Sequence, residues 1–187
     1  PAIPICLAGY IVMSCFYSTF LKKMVVLDLV LLSFFYIYRI LLGHVGLDIP
    51  FSMWLLAFSF FIFFGLATSK RIIELEDSPQ NTSSKKPINR RGYLAKDVQF
   101  LMPIGIVNSF ISILVFCLYI NSTAIMKLYT QPYFLWGISV TLIILLTRYW
   151  LSVGRQVVHS DPVIFFLKDW TTYIYVIFIL VFIFFAR

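Results

Sequence analysis

The sequence predicts an all-α, polytopic membrane helix bundle of about six transmembrane helices, and three observations carry that expectation. Of the 187 residues, 61% are hydrophobic and 12% charged, whereas soluble domains carry about 45–50% apolar and about 25% charged residues. Mean hydropathy is +0.93. The apolar residues also fall into blocks of about 20, the length at which an α-helix crosses a hydrocarbon core of roughly 30 Å. Those blocks are uniformly apolar where barrel strands would alternate, and a helix satisfies its own backbone hydrogen bonds in lipid.

The expected spans are 3–20, 25–43, 52–69, 98–120, 133–150 and 170–186. The first runs into Lys22-Lys23, and the second carries Asp28 in its first turn and stops near Gly43. The third begins after Pro50 and ends in TSKR, and the fourth follows Lys96-Asp97 and stops at Asn121. The fifth follows Pro132 and ends in TRYW, and the sixth follows Lys168-Asp169. Charge, Gly, Pro and Asn are the residues that punctuate such segments. The chain is read as one transmembrane domain, 1–187, and as part of a longer protein. Pro1 stands in an apolar stretch with no initiator Met, basic n-region or cleavage signature. The segment 76–89 is polar and rich in Ser, Pro and Asn, the composition of a mobile loop.

Alternating spans place twelve of the fifteen basic residues on one side, all but Arg39, Lys127 and Arg187. The positive-inside rule makes that side cytoplasmic, and an inner or plasma membrane is the expected location. Seven of the eight acids, all but Asp48, share it. The rule does not require those acids, so a polar site on the cytoplasmic face is the sharper expectation. Tyr10, Tyr17, Trp54, Tyr119, Tyr129, Tyr133, Tyr149, Trp150 and Trp170 lie near span ends and are read as interfacial anchors. Cys6, Cys15 and Cys117 lie in apolar runs without the paired spacing of a zinc or disulfide framework.

The charged residues near membrane depth need reasons. Asp28 and Arg39 are eleven residues apart, a rotation of about 1,100°, so both face one side of the helix about 16 Å apart. Each therefore needs another partner. Arg39 either faces a bundle interior or snorkels to the outer interface. Tyr17, Lys22, Lys23 and Asp28 gather at the mouth of the first hairpin. Lys70, Arg71, Glu74 and Asp77 fall on neighbouring faces of a continuing third helix. Adjacent Lys and Arg suit a phosphate or diphosphate, and Glu74 and Asp77 suit Mg²⁺, which asks for a carboxylate or two plus substrate phosphates. An ordinary solvated helix end with internal ion pairs is the plain alternative. Arg90 and Arg91 introduce the fourth span, Arg148 closes the fifth, Asp161 precedes a helix-starting Pro162, and Asp169 sits at the sixth span's mouth. Walker, G-x-G-x-x-G, nucleophile-elbow and HExxH motifs are absent from the sequence.

The order YSTFLKK, DLVLLSFFYIYRILLG, SMW with SKRIIEL, RRGYL, TRYW, SDP and KDW resembles the membrane prenyltransferases of the UbiA superfamily. Within it the chain is most similar to the decaprenyl-phosphate phosphoribosyltransferase branch. The resemblance covers most of the chain, tightly in these short polar strings and loosely in the apolar runs. It implies a nine-helix bundle with a cytoplasm-facing cavity open sideways to lipid. Lys22, Asp28, Arg39, Lys70, Arg71, Glu74, Arg91 and Arg148 would line or support that cavity. The resemblance further implies Mg²⁺-dependent transfer between a polyprenyl lipid and a diphosphate substrate, foremost phosphoribosyl transfer from 5-phosphoribosyl diphosphate to polyprenyl phosphate. On this reading Asp28, Lys22 and Glu74 serve catalysis, with Asp28 positioning Lys22 or the ribose. Lys70, Arg71, Arg91 and Arg148 bind phosphate, Glu74 and Asp77 hold the metal, and Tyr17, Arg39, Asp161 and Asp169 support them.

Two departures from the family pattern stand out. The family's Asn-Asp-x-x-Asp string is absent and is expected upstream of Pro1 with about three helices, leaving this chain as the carboxyl-terminal two-thirds of the bundle and inactive by itself. The family also places a Tyr where this chain has Asp97. Expected partners are the isoprenoid lipid, the diphosphate substrate, membrane lipid and the amino-terminal part of the same protein, with homo-oligomerisation left open and no nucleic acid. The alternatives are prenyl transfer from prenyl diphosphate to an aromatic acceptor, and a membrane transporter or scaffold with Asp28 and Arg39 as pathway charges.

Overall fold

Helices account for almost all of the structure, a computed structural model that describes residues 2–47, 52–77, 92–158 and 161–187. There are no strands among the described residues. The α-helices are α1 (Ala2–Thr19), α2 (Leu27–Leu47), α3 (Met53–Glu76), α4 (Val98–Ile120), α5 (Thr123–Leu128), α6 (Leu135–Gly154), α7 (Pro162–Lys168) and α8 (Trp170–Ala186).

Four of these, α2, α3, α4 and α6, are long and apolar enough to cross a membrane. The pair α7 and α8, bent by 83° at Asp169, makes a fifth if counted as one broken span. The remaining apolar helix, α1, is shorter. The expectation of an all-α membrane bundle is thus met, with four or five spans by length and composition. Large apolar side chains such as Val12, Phe100, Leu114 and Phe184 point outward, as lipid-facing surface requires. Helix α3 runs seven residues past its expected end at 69, so the charged string SKRIIELE is helical. Most of the predicted loop 76–89 lies outside the described residues.

Successive long helices pack as neighbours in the order α1, α2, α3, α4, α6, α8. Their directions alternate, so the first turns of α2, α4 and α8 meet the last turns of α3 and α6 at one end of the bundle. Helix α7 folds back at that end onto α3. Its start was legible: the Asp161 carboxylate caps it by accepting from the Val163 N–H at 3.1 Å, and Pro162 fills its first position.

The closest pairing, α3 against α4, is a seam of small residues. A Cβ built on Gly65 would lie 2.2 Å from the Ser109 hydroxyl, and one on Gly105 would lie 2.3 Å from the Trp150 ring. Without a hydrophobic force between helices in lipid, close backbone approach through Gly and Ser supplies much of the association. Trp150 locks the seam by donating its Nε1–H to Ser109 Oγ at 3.0 Å. Tyr149 likewise donates to Ser69 Oγ at 2.6 Å. Both rings are buried, so these two aromatics are core ties between α6 and the seam and not the interfacial anchors expected of them.

Gly105→Val should therefore destabilise the bundle by about 1–3 kcal/mol, the usual cost of overpacking a filled core. Gly43→Ala, where no atom lies within 4 Å of the added carbon, should be neutral or slightly stabilising. Thermal unfolding in detergent, read by fluorescence, compares the two.

Candidate functional site

The first turn of α2 puts Asp28 into the bundle with no exposed surface. Ten residues of turn and helix separate it from Tyr17, and the connection is a short 3-10 turn, Leu21–Lys23, followed by Val26 at a φ of 69°. That value is rare for a β-branched residue and costs backbone energy. Its effect is to aim the Val26 N–H at the Tyr93 hydroxyl, 2.9 Å away. Gly92, at a φ of 79°, brings Tyr93 in from the other side; a Cβ there would lie 2.9 Å from the Lys23 carbonyl oxygen. Tyr93 in turn donates to Asp28 Oδ1 at 2.5 Å.

Arg71, 1% exposed, completes this centre. Its Nη2 lies 2.9 Å from Asp28 Oδ2, its Nη1 donates to Glu74 Oε2, and its guanidinium carbon sits 5.8 Å from the centre of the Tyr93 ring. A buried guanidinium is tolerated where anions surround it, and here two carboxylates and an aromatic face do so. Burial, then the Asp28 hydrogen bond, push the Tyr93 phenol well above its ordinary range, so it remains a donor.

One residue earlier on α3, Lys70 points elsewhere. Its ammonium pairs with Asp161, and both side chains are partly exposed, 45% and 34%. Lys70, Arg71, Asp161 and Tyr17 line one end of a cavity of about 190 Å³ whose remaining walls include Leu32, Tyr36, Phe63 and Leu66. Lys70 and Phe63 are seven residues apart on α3, so the lining runs about 10 Å along that helix from a cation to an aromatic ring. A second cavity of about 390 Å³, among α3, α4, α6 and α8, is lined chiefly by apolar and aromatic side chains and shares none of these residues.

Other expected site residues are distributed differently. Asp28 is engaged by Arg71 and Tyr93, and its positioning of Lys22 does not occur; Lys22 sits half-exposed in the 3-10 turn. Arg148, expected on phosphate, is closed bidentately on Asp169 at 3.0 Å for each bond. Asp169 also accepts from the Thr171 and Thr172 hydroxyls, so this pair pins the bend between α7 and α8 and lies off the cavity lining. Arg91 lies outside the described residues. Asp77 terminates α3 as its C-cap, one turn beyond Glu74. No group of three potential metal ligands comes together among the described residues. Asp97 accepts the Leu94 N–H at 2.8 Å and so shapes the entry to α4. Sequence reasoning does not reach Tyr93, whose one local signal is the Gly before it, in RRGYL.

No family model matches this chain, and no solved structure does. It is 32% identical over 165 residues, 88% of its length, to a protein of Sinorhizobium fredii described as an uncharacterized protein, y4nM. The chain spans about a third, 32%, of that relative's length.

Asp28→Leu or Arg71→Leu alone should cost about 3–5 kcal/mol by stranding a buried charge, whereas the double variant should lose less than the sum; a double-mutant cycle on unfolding in detergent measures this. For Asp161, burial raises the carboxyl, but the Lys70 hydrogen bond, the Val163 N–H and the Lys70 charge outweigh it, and the net direction is down. A depressed carboxyl contributes stability above its unfolded value, near pH 4, and loses it as pH falls through the folded value. The tether of α7 to α3 should loosen below about pH 4, read as faster amide exchange at 163–168, and Asp161→Asn should remove that pH dependence.

Proposed function

We propose that this chain forms most of the catalytic bundle of a UbiA-type transferase joining an isoprenoid lipid to a diphosphate-bearing substrate. The observation that carries the reading is the cavity whose mouth holds Lys70, Arg71 and Asp161 over walls of Leu32, Phe63 and Leu66. That combination suits a molecule with a phosphate head and a hydrocarbon tail. Lys22, Lys70, Arg71, Lys96, Arg148 and Lys168 cluster at the same bundle end, which supports a cytoplasmic orientation of the site under the positive-inside rule. On this reading α1 and the α7–α8 pair are the first and last of six spans, and further helices complete a nine-helix bundle. The relative's greater length leaves room for them.

In the reaction most in keeping with the motifs, a polyprenyl phosphate oxygen attacks the anomeric carbon of 5-phosphoribosyl diphosphate. The new C–O bond forms as the bond to diphosphate breaks, and the diphosphate leaves with the electron pair. Lys70 exchanges Asp161 for a substrate phosphate and carries the direct contact. Arg71, fixed between Asp28 and Glu74, holds the end of α3 in place beside it and does not swing out. Tyr93 and Asp28 hold that guanidinium in register. Glu74 and Asp77, one turn apart, are the acids that would share Mg²⁺ with the diphosphate, and the ion would neutralise charge on the leaving group. Charge stabilisation of this kind is the main work of such a site, which accounts for cations without a nucleophile.

The test is made on membranes containing the chain together with its upstream segment, supplied with labelled 5-phosphoribosyl diphosphate and polyprenyl phosphate. Lys70→Ala should lower label in the lipid fraction by about 100-fold, the loss typical of a transition-state donor. Undiminished labelling in Lys70→Ala would refute the clamp. Label arriving from prenyl diphosphate instead would move the reaction to prenyl transfer within the same superfamily.

A further inference from the structure

Arg39 lies on the same face of α2 as Leu32 and Tyr36, but its surroundings differ from those of every other described membrane-embedded charge. Side chains on an α-helix lean toward its amino terminus, which for α2 is the Asp28 end. The Arg39 guanidinium follows that direction. Its carbon lies 5.3 Å from the centre of the Tyr36 ring, one turn nearer Asp28, and 5.5 Å from that of Tyr10 on α1. Nε and Nη2 both donate to the Tyr10 hydroxyl, at 3.0 and 2.7 Å. The head group is therefore drawn into the membrane and not toward the surface, which removes the snorkelling reading. Taken at the level of Tyr36, it stands about 12 Å from Asp28 and about 16 Å from the far end of α2, close to mid-depth.

At that depth Arg39 is exposed, and no carboxylate lies within ion-pair distance among the described residues. A tyrosine hydroxyl is a neutral acceptor and leaves the charge uncompensated. A cation at the bilayer centre is the most expensive place for a charge and marks a partner. A lipid phosphate is held at headgroup depth, some 15 Å away. The described residues of a second copy do not supply the anion either, since all seven of their acids belong to the Asp28 end, about 12 Å along α2 from this level.

We propose that Arg39 is the docking point for a carboxylate carried at mid-membrane by another transmembrane helix, which packs across α1 and α2 with Tyr10 and Tyr36 as the aromatic walls of the contact. The proposal stands apart from the transferase reading, since it rests on charge and depth alone.

The test uses the full chain, reconstituted in phosphatidylcholine bilayers and labelled with an energy-transfer acceptor. The probe is a synthetic Leu/Ala helix of about 20 residues with one central Asp, labelled with the donor. The probe should associate about tenfold more strongly than the same helix with Leu at that position or with the Asp moved two turns toward an end, in line with a polar contact between membrane helices. Arg39→Gln should abolish the preference and Arg39→Lys should keep most of it. Because Arg39→Gln could disturb folding, Arg39→Asp tested against a probe with a central Lys should restore association. Replacing part of the phosphatidylcholine with phosphatidylglycerol should change nothing. Equal association of the Asp and Leu probes, or displacement of the Asp probe by the anionic lipid, would overturn the proposal; the latter would assign Arg39 to a lipid phosphate.

Discussion

The arrangement depends on how one buried cation is neutralised. Arg71 sits in the last turns of a membrane-length helix with almost no exposure, and its charge is shared between Asp28 of α2 and Glu74 of its own helix. Removing water from a guanidinium costs several kcal/mol, and the surrounding anions return most of it only when their geometry is right. That requirement fixes the rotation of α2 against α3. It also explains the strained backbone at Val26, which presents an N–H to Tyr93 so that the phenol can in turn face Asp28. Three separated stretches of chain, around 26–28, 71–74 and 92–93, are bound into one unit by a single side chain's charge.

Adjacent residues on that helix are given opposite fates by its geometry. Successive side chains on an α-helix are turned by about 100°. Arg71 therefore enters the packed centre while Lys70 reaches the cavity mouth, where its partner Asp161 is partly exposed. An ion pair reachable from outside can exchange its anion for another, whereas one closed between α2 and α3 holds its shape. The division suits the proposed function, in which phosphate would be taken up and released without loss of the framework. The bend at Asp169 works in the same direction. By tying Arg148 to the first turn of α8, it sets α7 back across the end of α3, and Asp161 arrives at Lys70 as the cap of that short helix.

How much of this could be read in the sequence follows from the range of each signal. Apolar blocks and the charges between them are local, so the positions of the long helices, the helical continuation through SKRIIELE and the start of α7 at Asp-Pro were all legible. Lys70, Arg71 and Glu74 stood out by local spacing and Asp161 by the Pro after it, and the structure joins them as two pairs, Lys70 with Asp161 and Arg71 with Glu74. Pairings across the fold were not legible. Arg148 looked like a phosphate ligand because Asp169 is 21 residues away, and Tyr93 was passed over because its partner Asp28 is 65 residues away. The same holds for the seam of Gly65, Gly105 and Ser109, which depends on two helices meeting in one register. Tyr149 and Trp150 near a span end looked like interfacial anchors, and only the packing of α6 on the seam turns them inward.

Charge placement also distinguishes the two flanks of the row of helices. At the α8 flank the helix carries no charge, with Trp170, Ile177, Leu180 and Phe184 outward, a surface that suits lipid. At the α1–α2 flank the outward surface includes Arg39 between two tyrosine rings. Every other described membrane-embedded charge in this bundle, Asp28, Lys70, Arg71, Glu74 and Arg148, is gathered toward one end and answered by an opposite charge there. A bundle that neutralises its charges so consistently at one end, yet leaves a guanidinium at mid-depth on one flank, has two different kinds of side. Lipid can cover the first, and the second calls for protein.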